Sequence, residues 1–304
     1  MKALLNLVMV CNLLLLNNIV LAQRKMSFAR NAPGFYYCMN NMSSQVKQFQ
    51  QQNNIGEVKL IGGADISKGS ILNLNKETLS SAITKAFPDA QMQGIGALDW
   101  EGSELKTLRA GAQNSPAFAN AMSRMKEVLA FAQQLRPNVS WGFYGLPFRE
   151  FWKRNSEWKD NGNKLGDLLN QQDILFPSVY LLFEDNPSSS VSNKDYVKSN
   201  VEQALTLGAK YNKPVLPFIW NRYTNYKQVA VDDLKKQVDA ILSANVNGQR
   251  VVGVVWWNAD YYFYTSGNQT FKAEVSNGVN YKDYYDNMIL NYSKALLNEV
   301  HNYH

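Results

Sequence analysis

Asp99 and Glu101, one residue apart in Gly94-Ile95-Gly96-Ala97-Leu98-Asp99-Trp100-Glu101, are the side chains whose type and spacing best suit chemistry. The stretch reads as a strand that ends in acids. Side chains alternate along a strand, so Asp99 and Glu101 share one face while Leu98 and Trp100 take the other. Two carboxylates this close cannot both ionise freely; one holds its proton to higher pH and can act as an acid. Glycosidic cleavage needs a proton on the leaving oxygen and negative charge beside a cationic transition state. The bland alternative is a strand end with two solvated acids, and a bare Asp-x-Glu does not separate the two.

The remaining inventory narrows the chemistry. The sequence has two histidines, His301 and His304, both at its end. A Ser-His-Asp or Cys-His relay and a zinc site of His and Cys are therefore excluded as expectations. Neither Gly-x-x-x-x-Gly-Lys-Ser/Thr nor Gly-x-Gly-x-x-Gly occurs. Carboxylates, tyrosines and tryptophans are left, an inventory that suits carbohydrates. No metal or organic cofactor is expected. Cys11 falls in the apolar N-terminal stretch, which leaves Cys38 alone and without an internal disulfide partner. Within Phe35-Tyr36-Tyr37-Cys38-Met39 it reads as an inert buried thiol, with intermolecular pairing or reactivity as the alternative.

The elements that must position these groups alternate in type. Seven apolar runs rich in Val, Ile, Phe, Tyr and Trp read as buried strands: 34–39, 58–62, 94–100, 139–144, 174–181, 214–219 and 251–257. Between them lie helical stripes. Phe118, Met122, Met125, Leu129 and Ala132 form one, Val197, Val201, Ala204 and Gly208 a second, and Val231, Leu234, Val238 and Ile241 a third. A last helix is expected over 281–300. Strand–helix alternation implies a parallel sheet flanked by helices. Seven units without a nucleotide fingerprint favour a distorted TIM-like (β/α) barrel over an open sheet. Asp185–Asn193 reads as a rim loop.

The Asp-Trp-Glu strand resembles the catalytic strand of the hyaluronidases. Three more segments resemble the same family in the same order: Trp141-Gly142-Phe143-Tyr144-Gly145-Leu146-Pro147, Ile174-Leu175-Phe176-Pro177-Ser178-Val179-Tyr180-Leu181 and Gly253-Val254-Val255-Trp256-Trp257. Lys213-Pro214-Val215-Leu216-Pro217-Phe218 is similar to its penultimate strand. The resemblance implies a distorted seven-stranded barrel and a secreted endo-β-N-acetylhexosaminidase that cuts an N-acetylated glycosaminoglycan. Carried over, Glu101 becomes the acid/base, and Asp99 stabilises the substrate's own acetamido group as nucleophile. Tyr144 and Tyr180 bond around the reaction centre, and Trp257 lines the pocket.

Core packing is the alternative for each of these aromatics. Trp220, Tyr223 and Tyr226 follow the sixth expected strand and are read independently as a sugar-stacking platform. Tyr261, Tyr262 and Tyr264 are weaker candidates of the same kind. Two departures stand out. The family's Trp-Arg-Pro run after its acid is replaced by Gly102-Ser103-Glu104-Leu105, with Arg109 as a candidate substitute, and its disulfide cysteines are missing apart from Cys38. Chitinases share an Asp-x-Glu strand end but carry two further upstream aspartates, where this sequence has Gly94 and Ala97. A chitinase-like hydrolase and an inactive glycan-binding barrel stay open as rivals.

The chain has 304 residues, 45% of them hydrophobic and 18% charged, enough for a large core and unlike a disordered chain. Residues 1–22 read as a secretory signal with cleavage before Gln23, leaving 23–304 as one catalytic domain; a membrane anchor is the lesser alternative. Secretion, or a lysosome-like compartment, is expected. Sequons at Asn41, Asn138, Asn268 and Asn291 agree with it. The net charge of +6 suits either an acidic polysaccharide such as hyaluronan or chondroitin, or simple solubility. No nucleic-acid motif and no stable membrane insertion are expected.

Overall fold

The computed structural model describes residues 25, 28, 32–67, 74–186, 188–275 and 278–303. The expected signal segment, Cys11 and His304 lie outside the described residues. Six parallel strands form one curled sheet: β1 (Gly34–Met39), β2 (Gly56–Gly62), β3 (Gly94–Asp99), β4 (Val139–Phe143), β5 (Phe218–Trp220) and β6 (Gly253–Asn258). Their spatial order is β4-β3-β2-β1-β6-β5. The sheet is α/β in the sense expected, since every strand-to-strand connection passes through helix.

The fifth expected strand, 174–181, is not a regular strand. It is held by isolated bridges, Tyr144 to Phe176 on the β4 side, and Leu175 to Val215 and Ser178 to Phe218 on the β5 side. Those bridges join the two edges of the six-stranded sheet. Pro177 explains the irregularity, because it has no N–H to donate to a ladder. Its carbonyl still accepts from Phe218 N at 2.9 Å. Pro214 and Pro217 shorten the next expected strand in the same way, leaving 218–220 regular. Gly142 permits the closure: a Cβ there would lie 2.2 Å from the Ile174 carbonyl oxygen.

The helices cover the outside. Pro116–Leu135 starts on Ser115, whose hydroxyl accepts from Phe118 N at 3.2 Å, with Pro116 in the first turn where no N–H is needed. Its expected stripe is buried except Met122, which is partly exposed. Asn193–Tyr211 buries Val197, Val201, Ala204 and Gly208, and Val231–Leu242 buries Leu234, Val238 and Ile241. Tyr281–His301 closes the described chain as a long helix.

Two apolar clusters follow from strand alternation. The outer one fills the space between sheet and helices and includes Leu98, Trp100, Trp141 and Trp256. The inner one fills the curl of the sheet with Cys38, Val58, Ile95, Ala97, Phe176, Leu216, Phe218 and Val255. Cys38 is a free, buried thiol whose pKa is pushed up, chiefly by burial and then by the nearby charge of Asp99, which agrees with the inert reading. Among the described residues, no helix is long and apolar enough to cross a membrane.

Candidate active site

Asp99 ends β3 two residues beyond Ala97 and so continues the inward-facing series Ile95, Ala97, Asp99. Trp100 turns the other way into the outer core, where its indole Nε1 donates to Ser67 Oγ at 3.0 Å. β3 stops at Asp99, so strand alternation does not extend to Glu101, which is exposed on the rim. It is close enough for its charge to act on Asp99. The Asp99 carboxyl is pushed up to about 7, first by burial and second by Glu101. Of the two carboxyls, Asp99 is therefore the one whose proton is held toward neutral pH. Asp99 Oδ1 is buried with no hydrogen-bond partner. An open cavity of about 370 Å³ lies against Gly63, Ala64, Asp99, Trp100, Glu101 and Gly102.

The same end of the inner cluster carries the aromatic layer. Tyr144 follows β4, Tyr180 lies near the end of the irregular 174–181 segment, Trp220 ends β5 and Trp257 lies near the end of β6. Tyr180 stacks on Trp257 at 5.9 Å and 14°, Trp257 meets Trp220 at 5.0 Å, and Tyr180 lies 5.9 Å from Tyr144. Trp220 Nε1 is a second buried polar atom without a partner. Buried polar groups are normally paired, and Asp99 Oδ1 and Trp220 Nε1, two of seven such atoms among the described residues, leave acceptor and donor capacity at this end that a polar ligand would satisfy. Burial pushes the Tyr144 hydroxyl up to about 12, against the opposing pull of Arg149.

One candidate is not in this layer. Tyr223 is buried in the outer core, because the turn after β5 directs its ring away from the sheet interior. Tyr226 returns instead, at φ 67°, and sets its ring 6.0 Å from Trp220. Tyr264 stacks on Tyr281 at 3.4 Å and Tyr261 packs on Tyr281 and Tyr285, while Tyr262 is exposed. The sequon at Asn138 is also placed out of reach: its side chain is 2% exposed and donates to the Gln91 carbonyl at 2.9 Å.

Two residues not singled out from sequence join the layer. Ser178 Oγ lies 3.0 Å from the Tyr144 hydroxyl and accepts from Arg149 Nη1 at 2.7 Å. Arg149 also stands over the Tyr180 ring at 5.5 Å. Ser178 was legible, since it lies two residues from Tyr180 on an extended segment. Arg149 was not, because it sits in irregular chain and its contact spans 29 residues. Arg109 lies over the Phe148 ring at 4.6 Å, and the charges of both Arg149 and Glu101 act on it. Behind the layer, Asn258 Nδ2 donates to Asn221 Oδ1 at 2.9 Å and buried Arg222 donates to Asp260 Oδ2 at 2.6 Å. Both pairs tie the exit of β5 to the exit of β6.

A second hollow, of about 470 Å³, opens at the opposite end of the strands, where Lys25 pairs with Asp173 and Arg250 and Lys213 line the wall. In parallel (β/α) barrels, chemistry gathers at the strand C-termini and the other end serves stability. That rule favours the end holding Asp99.

A closed parallel sheet with paired acids and an aromatic layer at its strand C-termini is the architecture of the barrel-type glycoside hydrolases. The chain belongs to the hyaluronidase family, whose family model matches residues 102–281. A hyaluronidase of Polybia paulista is 22% identical over 216 residues, covering 58% of this chain and 74% of that protein. The inactive hyaluronidase B of Vespula vulgaris is 22% identical over 148 residues, covering 45% of this chain; the chain spans only 41% of that relative's length. The crystal structure of bee venom hyaluronidase superposes with a TM-score of 0.61 at 15% identity, over 87% of this chain and 99% of that one. The same bee enzyme in complex with a hyaluronic acid tetramer gives 0.58 at 15% identity, over 90% and 99%.

Proposed function

We propose that this chain is a secreted endo-β-N-acetylhexosaminidase that hydrolyses an N-acetylated glycosaminoglycan, hyaluronan or chondroitin, by substrate-assisted retaining catalysis. The observation that carries the proposal is the buried, orphaned Asp99 at the same strand ends that carry Tyr144, Tyr180, Trp220 and Trp257, with Glu101 two residues on. Family membership and the bee enzyme's complex with a hyaluronic acid tetramer support the choice of substrate. In this reading residues 1–22 are removed on export and 23–304 act as one catalytic domain.

The two carboxyls work as a pair. Burial and the charge of Glu101 hold the Asp99 carboxyl up at about 7. An acetamido N–H donated to Asp99 favours its ionised form, and the shared proton then resides on Glu101. Glu101 gives that proton to the leaving oxygen while the acetamido oxygen attacks the anomeric carbon. Ionised Asp99 stabilises the positive charge that develops on the acetamido nitrogen. Water then opens the cyclic intermediate, with Glu101 as base, and the configuration is retained. This is the substrate-assisted exception to the usual two-carboxylate scheme. The aromatic layer supplies the apolar face for the sugar ring, and Tyr144 and Tyr180 hold its polar edge.

The test is reducing-end release from hyaluronan, chondroitin and chitin oligomers by the wild type and by Glu101→Gln. Release from the glycosaminoglycans that vanishes in Glu101→Gln supports the assignment; full activity in that variant removes it. Turnover of chitin oligomers alone would move the chain to a chitinase-like reading.

A second reading is a glycan-binding barrel without catalysis. It is favoured by the resemblance to an inactive relative and by a family match that begins at Gly102, just beyond the acid pair. Binding of hyaluronan without release of reducing ends would establish it.

A further inference from the structure

We infer that Trp152 and Phe183 form an outer saccharide-stacking subsite on the rim of the barrel mouth; this rests on the polysaccharide reading above and extends it to the part of the chain outside the reaction centre. Trp152 is 58% and Phe183 48% exposed, although both are large apolar rings. Leaving such rings in water costs apolar hydration, and a contiguous exposed patch marks a contact surface. They lie against each other, with ring centroids 6.3 Å apart and planes tilted by 33°. Beneath them is a third ring, Phe151, buried and edge-on to both at 4.6 and 5.5 Å.

The platform is held in place. Glu150 Oε1 accepts from Trp152 N at 2.9 Å and from Lys153 N at 3.1 Å, which fixes the turn. Asn200 clamps that turn to its helix through Glu150 N and O, both at 2.8 Å. On the other side, Asn193 Nδ2 donates to the Phe183 carbonyl at 2.9 Å. Two exposed rings on clamped backbone lose little freedom when a ligand covers them, which is the condition for useful stacking.

Position identifies the occupant. Trp152 stands on the loop after β4 and Phe183 two residues after the 174–181 segment, the two stretches that deliver Tyr144 and Tyr180. The rings are continuous with the candidate site: Phe151 touches Tyr196 at 4.9 Å, and the Tyr196 hydroxyl donates to the Tyr180 carbonyl at 3.1 Å. Charge agrees with an acidic glycan. Lys153 is exposed and Arg154 half-buried beside Trp152. The neighbouring acids are engaged: Glu150 caps the turn, Glu184 pairs with Lys227, and Asp185 accepts from Asn193 N at 2.7 Å. A chain threaded past Tyr180 would lay the apolar face of a later sugar on these rings.

The experiment compares wild type with Trp152→Ala, Phe183→Ala and the double variant on high-molecular-weight hyaluronan and on a short hyaluronan oligosaccharide. Stacking on the scale of aromatic contacts predicts a rise of about tenfold in KM for the long chain in the double variant, with kcat/KM for the oligosaccharide unchanged. Binding of the long chain in a Glu101→Gln background should weaken by the same factor. Unchanged KM and binding on the long chain, or equal losses on both substrates, would overturn the subsite while leaving the catalytic reading intact. Wild-type binding without cleavage would remove the catalytic reading, and the binding comparison would still decide the subsite. If wild type neither binds nor cleaves hyaluronan, both fall. Capture of phosphatidylcholine vesicles that is lost in the double variant, with hyaluronan binding unaffected, would assign the rings to a membrane surface instead.

Discussion

Arg149 donates to Ser178 at 2.7 Å, and Ser178 in turn lies 3.0 Å from the Tyr144 hydroxyl, so the one serine links a cation over the Tyr180 ring to the hydroxyl of Tyr144. A guanidinium has no acceptor, so Ser178 must accept from it, and one fewer orientation is open to the serine proton. The positive charge also polarises Tyr144 toward donation, which is the direction of its pull on that hydroxyl's pKa. Arg149→Met should therefore lower kcat on hyaluronan by about ten- to a hundredfold, the range of a lost charged hydrogen bond, with a smaller change in KM. Arg149→Lys should recover part of the loss. Steady-state kinetics of both variants check this, and a loss confined to KM would contradict it.

Asp99 makes stability and activity pull in opposite directions. Its folded pKa of about 7 lies above the usual carboxylate value of about 3.9. Between those values the folded state binds more protons than the unfolded one, so stability falls as pH rises through that window. The cost is absent below about pH 4 and fully present above about pH 7, growing by roughly 1.4 kcal/mol for each pH unit crossed between them. Asp99→Asn should be more stable than wild type at neutral pH, converge with it in acid, and lose turnover. Thermal unfolding at a series of pH values tests the first two parts. A destabilised Asn variant at neutral pH would show that Asp99 is held ionised by something else.

In the substrate-assisted reading, the pH profile of kcat/KM reports the free site and that of kcat the loaded one. An acetamido donor on Asp99 should displace the limb set by Asp99 to lower pH in kcat than in kcat/KM. Coincident limbs in the two profiles would argue against a substrate donor reaching Asp99. The overall optimum should be acidic, because Glu101 must carry a proton to begin the reaction.

The exits of β5 and β6 are joined by a buried charge cluster. Arg222 is bonded to Asp260 at 2.6 and 3.0 Å and to Glu274 at 2.9 Å, with Phe271 beneath its plane at 4.3 Å. Burial works to lower the arginine's pKa, but its bonds to the two acids prevail and raise it. Removing one member strands buried charge, at a cost of about 3–5 kcal/mol. Arg222→Met should lower the unfolding midpoint markedly and loosen Trp220 and Trp257, visible as a change in tryptophan fluorescence. A melting point within a degree or so of wild type would show that the cluster is not a clasp.

Gly142 tests the barrel closure. The Cβ of Gly142→Ala would meet the Ile174 carbonyl oxygen at 2.2 Å, and that atom is backbone that cannot swing aside. The substitution should cost about 1–3 kcal/mol, measured by denaturant unfolding. Gly145→Ala, at φ 79° with no atom within 4 Å of the added Cβ, separates a steric cause from a conformational one.

Much of this molecule was legible because short periodicities need no distant partner. Alternation alone sent Asp99 inward and Trp100 outward, and the helical stripes found their buried faces. The Phe-Pro-Ser-Val-Tyr and Trp-Trp segments pointed to Tyr180 and Trp257 without help from the fold, Trp257 near the end of β6 and Tyr180 on the bridged 174–181 segment. Tertiary structure decided whatever depended on contact between remote segments. Pro177 turned an apolar run that reads as a strand into a bridged seam, because a missing N–H matters only once a partner is in place. Tyr223 left the platform that its spacing from Trp220 suggested, since a turn obeys neither period. Arg149 joined Tyr144 by way of Ser178, 29 residues downstream, where no local pattern points. That Asp99 is pushed up was also a tertiary matter, because spacing makes the pair but burial, which the sequence does not show, is the larger cause of its shift.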